Sequence, residues 1–144
     1  MAYAARFQQK STRVFVVVSD GECNEGSIWE AALWAPRHQL SQLTVIVDFN
    51  RFQATGSSTE ITQLEPFAEK WRSFGWETVE VDGHDFGQLK TELSKSGSDR
   101  PRAVVAHTIK GKGVSFMERN LEWHYRPLAG EDFTRAMAEV SGVI

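Results

Sequence analysis

Along the chain, short apolar runs rich in β-branched residues alternate with longer stretches whose apolar positions recur every three or four residues. Such alternation predicts an α/β fold, a parallel sheet with helices on both faces. The first strand runs from Arg13 to Ser19 (RVFVVVS), and its unbroken Val and Phe content implies burial on both faces. A helix follows from Ser27 to Gln39, with Ile28, Ala31, Ala32 and Ala35 at helical spacing and Pro36 as a place to kink or end it. The second strand, Leu43 to Asp48 (LTVIVD), runs into a polar loop from Asn50 to Thr59.

The pattern continues with a helix from Leu64 to Phe74, a strand from Thr78 to Val81, the turn Asp82-Gly83-His84-Asp85 and a helix to Ser94. Gly97, Ser98 and Asp99 interrupt the chain before Pro101, and a fourth strand, Ala103 to Thr108, delivers the loop Lys110-Gly111-Lys112-Gly113. Glu131 to Val140 reads as the last helix. Met1 to Gln9 is a good helical stretch with no capping residue before it, which predicts that an upstream segment is missing. Residues 1–144 are expected to form one domain.

With 144 residues and a net charge of -3, the chain scatters its Lys and Arg residues and shows no basic stripe, so nucleic acid is not an expected partner. Cys23 stands alone, which excludes an internal disulfide and suits a reducing cytoplasm. The longest apolar run, Val14 to Val18, is too short to cross a bilayer, and no signal-peptide pattern opens the chain. A soluble protein with no membrane partner is expected. Five Trp and nine Phe exceed what a core of this size needs, so some of that surface is expected to face another chain.

In an open parallel sheet, ligands bind beyond the carboxyl ends of the strands. Three loops reach that edge: Ser19 to Gly26, Asp48 to Phe52, and Lys110 to Gly113. Asp20 and Asn50 each end a strand, and if those strands are neighbours both side-chain oxygens reach one ion. Mg²⁺ takes oxygen ligands and is commonly held by one or two protein groups plus phosphate oxygens. Gly21, without a Cβ, lets its backbone approach a diphosphate.

The stretch SDGECNEGSIWEAALWA, followed by LTVIVDFNRFQATG, resembles the thiamine diphosphate motif, and within that superfamily the N-terminal subunit of a split transketolase. The resemblance continues through VDGHD (Val81 to Asp85), HTIKGKGVSFME (His107 to Glu118) and Trp123-His124. It implies that Asp20, Asn50 and the Phe52 carbonyl hold Mg²⁺ and that Gly21 packs on the diphosphate of thiamine diphosphate. His124 would touch the diphosphate and the reacting end of the thiazolium. Glu25 and Glu30 would lie in a carboxylate network at a subunit interface. The implied reaction is transfer of a two-carbon ketol unit between sugar phosphates, by a homo- or hetero-oligomer in which a second subunit supplies the pyrimidine-binding domain.

The chain departs from the family pattern at Ser19, where Gly is usual and the turn is expected to change, and at Tyr125, where a small residue is usual. Taken singly, the same residues have plainer explanations. Asp-Gly after a strand and Asn50-Arg51 are ordinary turn starts, His124 a packed or surface residue, and Glu25 and Glu30 favourable charges near a helix N-terminus. Cys23 reads as a small buried residue, Lys110 and Lys112 as a solvated turn, and His38, His84 and His107 lack zinc-ligand spacing. A non-catalytic assembly module and a component of another thiamine diphosphate enzyme are the alternatives. No G-x-G-x-x-G follows a strand, so a dinucleotide-binding domain is set aside.

Overall fold

The computed structural model describes residues 1–142; positions 143 and 144 of the expected domain lie outside the described residues. After α1 (Ala2–Phe7), the chain forms β1 (Val14–Ser19), a 3₁₀ turn (Glu22–Asn24), α2 (Gly26–Arg37) and β2 (Leu43–Phe49). A small hairpin, β3 (Phe52–Gln53) and β4 (Gly56–Ser57), leads to the one-turn helix α3 (Ser58–Ile61) and then α4 (Phe67–Ser73). Next come β5 (Glu77–Asp82), α5 (Phe86–Ser94), β6 (Arg102–His107), a second 3₁₀ turn (Leu121–His124) and α6 (Gly130–Ser141).

Four strands form a parallel sheet in the order β1-β2-β6-β5, as the alternation of strand and helix signals requires. On one face Val45, Val47, Ala103 and Val105 meet Ala32 and Ala35 of α2 and Phe67, Ala68 and Trp71 of α4. On the other, Ile46, Val79, Val81, Val104 and Ala106 meet Leu89 and Leu93 of α5. Trp76 fastens the larger layer by donating its indole N–H to the Ala32 carbonyl at 2.8 Å. Pro36 falls in the last turn of α2 and the helix ends at Arg37, so the proline terminates rather than kinks it.

Three expectations need correction. The first strand is not buried on both faces: β1 is an edge strand, and Phe15, Val16 and Val17 are 45, 39 and 68 % exposed. None of the apolar residues beneath α5 comes from β1. Composition makes a strand; what packs against it decides burial. The loop from Asn50 to Thr59 is partly ordered as the β3-β4 hairpin and α3. The helix expected from Leu64 begins only at Phe67, with Pro66 before it in extended backbone, φ -76° and ψ 110°. Among the described residues no helix is long and apolar enough to cross a membrane.

Candidate functional site

Because β1 and β2 are parallel neighbours with Ser19 opposite Asp48, the loops that leave them emerge side by side. Asp20 is completely buried there, its own N–H bonded to the Asp48 carbonyl at 3.2 Å. Its carboxylate accepts from the Gly21 N–H at 2.9 Å and the Ser58 hydroxyl at 2.7 Å, and also from the Arg51 N–H. Every one of these donors is neutral. Burial therefore pushes the Asp20 carboxyl above its ordinary 3.8; the three donors oppose the shift and the nearby Asp48 charge adds to it.

Asn50 follows β2 directly and its side-chain oxygen accepts the Phe52 N–H at 2.9 Å, closing a tight turn over Arg51. Arg51 adopts the left-handed conformation, φ +67°, uncommon for a residue with a Cβ. Asp20 and the Asn50 turn therefore leave neighbouring parallel strands side by side. Gly21 adopts ordinary helical backbone, φ -62° and ψ -41°, and a Cβ there would lie 3.4 Å from Gln53 Cγ, a normal contact. Nothing in the chain itself requires glycine at this place.

Ser19 does not loosen the turn. Its hydroxyl accepts the Glu22 N–H at 3.1 Å while Glu22 Oε2 accepts the Ser19 N–H at 2.7 Å, a reciprocal pair across the turn whose hydroxyl half glycine could not make. Cys23 is fully buried and its thiol is pushed up to about 12, by burial first and then by the Asp20 and Glu22 charges. Its place in the core matches the expectation of a small buried residue.

Along the same edge of the sheet, a cavity of about 440 Å³ opens over the ends of β2, β5 and β6, with Asn50, Phe52, His84, His107, Lys112 and Arg119 among its lining. Gly83 donates to the His107 carbonyl at 2.8 Å, and a Cβ on it would lie 2.4 Å from Thr108 Cγ2. His84 Nε2 accepts the Ile109 N–H at 2.8 Å. The VDGHD and HTIKGKG segments are therefore packed against each other. Gly111 has φ +74° and Gly113 φ +92°, and a Cβ on Gly111 would come within 2.5 Å of the Met117 carbonyl oxygen.

Other expected site residues are not gathered here. His124 is exposed at the end of its 3₁₀ turn, its ring 4.7 Å from that of Tyr125, itself 71 % exposed. Glu25 and Glu30 are exposed on the first turns of α2, not in a buried carboxylate network within this chain. Among the described residues no group of three His, Cys, Asp or Glu side chains is placed to hold a metal. The donor set that fits a cation is instead one carboxylate, the Asn50 amide oxygen and a backbone carbonyl, a hard-oxygen set suited to Mg²⁺ completed by phosphate oxygens. A buried carboxylate with no cationic partner is costly and fits a cation. Gln53 sharpens this: its Oε1 accepts from Asn24 at 2.6 Å, while its buried Nε2 has no partner and could serve a phosphate oxygen. Sequence reasoning did not single out Gln53, although the stretch LTVIVDFNRFQATG contains it, nor Ser58, which lies just beyond that stretch.

A parallel α/β sheet with a buried carboxylate and an adjoining carboxamide loop at its carboxyl edge defines the class as an α/β ligand-binding domain. The chain belongs to the family described as transketolase, thiamine diphosphate binding domain, whose model matches residues 3–143. It is 37 % identical over 142 residues to the 6-deoxy-6-sulfo-D-fructose transketolase subunit SqwG of Clostridium sp. (strain MSTE9), covering 97 % of this chain and 52 % of that protein. It is 36 % identical to an apulose-4-phosphate transketolase subunit of Phocaeicola vulgatus, covering 98 % and 51 %. The chain thus spans about half the length of these curated relatives. Transketolase from Campylobacter jejuni superposes with a TM-score of 0.91 at 24 % identity, over 97 % of this chain and 23 % of that one, a likeness of fold. Transketolase from Leishmania mexicana gives 0.81 at 27 %, over 90 % and 20 %.

Proposed function

We propose that this chain is the thiamine diphosphate- and Mg²⁺-binding component of a transketolase that transfers a two-carbon ketol unit between sugar phosphates. A second chain supplies the pyrimidine-binding domain in a homo- or hetero-oligomer, and without it the component does not turn over. The observation that carries this reading is Asp20, a buried carboxylate held only by neutral donors and joined to the Asn50 turn. Asp20, Asn50 and the Phe52 carbonyl would hold the ion, and Gly21 would lie against the diphosphate. When bound, thiamine diphosphate supplies the carbanion that carries the two-carbon unit. The protein's part is to bind and orient it.

Glu25, Glu30 and His124 act, in this reading, at the junction with the partner chain, which accords with their exposure here. That the relatives carry the word subunit in their names supports the need for a partner. A cytoplasmic setting fits the single buried thiol. Calorimetric titration of thiamine diphosphate, with Mg²⁺ and with chelator, tests the reading. Magnesium-dependent binding is expected; no binding even beside a complementary second chain would favour a degenerate assembly module.

A further inference from the structure

We propose that Ser58 is the positioning residue for Asp20, fixing its carboxylate to face a cation and tying the Asn50 loop to the end of β1. The inference rests on the reading of Asp20 as a cation ligand. Ser58 is 2 % exposed and opens α3, and its hydroxyl lies 2.7 Å from Asp20 Oδ2. Its N–H donates to the Arg51 carbonyl at 2.9 Å, while the Arg51 N–H donates to the Asp20 carboxylate. Residues 51 and 58 are therefore bonded to each other and both to Asp20, which closes the intervening hairpin into a clasp. Asn50 and the Phe52 carbonyl are carried by that clasp.

A carboxylate offers about four lone-pair sites. Gly21, Arg51 and Ser58 use three of them, and because all three donors are neutral the charge itself stays uncompensated. Ser58 is the donor on the far side of the β3-β4 hairpin, so its bond to Asp20 forms when the hairpin is closed. A hydroxyl suits this place because it orients the carboxylate without neutralising it, whereas a Lys or Arg at 58 would pair with Asp20 and displace the ion. Partners behind a metal ligand of this kind change metal affinity by about 10- to 100-fold when removed.

The test compares the full chain with its Ser58→Ala and Ser58→Thr variants, and with Val81→Ala, a core truncation in the layer beneath α5. Thiamine diphosphate affinity is measured at saturating Mg²⁺ and in chelator, and amide exchange of Arg51 is followed by NMR without ligand. Ser58→Ala is expected to lose about 10- to 100-fold of the Mg²⁺-dependent affinity, to leave the chelator value unchanged, and to speed exchange at Arg51. Ser58→Thr, which keeps the hydroxyl, restores both, and Val81→Ala moves neither despite its lower stability. Mg²⁺-dependent affinity unchanged in Ser58→Ala, or equal losses with and without metal, would overturn the proposal. Should the unaltered chain show no Mg²⁺-dependent binding, the cofactor reading fails by itself; the Arg51 exchange rate then decides, an unchanged rate sinking the clasp and a faster one supporting it.

Discussion

Adding one methyl group at Gly21 separates the chain's own needs from those of a ligand. With φ at -62° the backbone suits any residue, and a Cβ would rest 3.4 Å from Gln53 Cγ and 3.6 Å from Ser19 Oγ. Gly→Ala at a compatible position stabilises by about 0.4–1 kcal/mol, chiefly by restricting the unfolded chain. For a chain of 144 residues, that corresponds to a rise in Tm of about 1–4 °C. If a diphosphate packs on the Gly21 backbone, the same methyl group stands in its way, and affinity should fall at least about tenfold, or about 1.4 kcal/mol. Calorimetry of the ligand-free variant gives the first quantity, and titration with thiamine diphosphate and Mg²⁺ the second. A Tm that drops by several degrees would refute the packing argument. A raised Tm with unchanged affinity would remove Gly21 from the diphosphate site.

Asp20→Asn is expected to abolish the Mg²⁺-dependent part of thiamine diphosphate binding, read by titration with and without chelator, because the amide keeps the shape and loses the charge. Glu92→Gln tests an ion pair at the opposite end of the sheet, where Glu92 bonds Lys95 at 2.7 Å and the buried Arg102 at 2.9 Å. The Lys95 hydrogen bond, followed by Arg102, holds the Glu92 carboxyl below its ordinary 4.5, so its stabilisation is present above that value and is lost as pH falls through the depressed one. Glu92→Gln should cost about 1 kcal/mol at neutral pH, since Lys95 is half exposed and Arg102 keeps Glu77 at 3.4 Å, and the gap in Tm should close in acid. Cys23, buried and pushed up to about 12, should resist thiol reagents in the folded chain and react only on unfolding, followed by absorbance.

Much of the fold was legible in the sequence because the signals behind it are local. Apolar runs rich in β-branched residues placed all four sheet strands within one or two residues. That Asp20 and Asn50 stand directly after strands was legible for the same reason.

What the sequence withheld depends on which surfaces meet. The runs in β1 and β6 read alike as buried strands, yet β6 has neighbours on both sides and β1 on one, so only β6 is covered along most of its length. The reach of Ser58 to Asp20, 38 positions earlier, and the lone Nε2 of Gln53 belong to a hairpin without a periodic signature. The sequence by itself determined the elements and the residues at the sheet's carboxyl edge, because helix, strand and cap preferences act over a few residues. Only the tertiary structure decided which strand lies exposed and which neutral donors surround a buried charge, because burial and long-range hydrogen bonds exist only once distant segments are packed together.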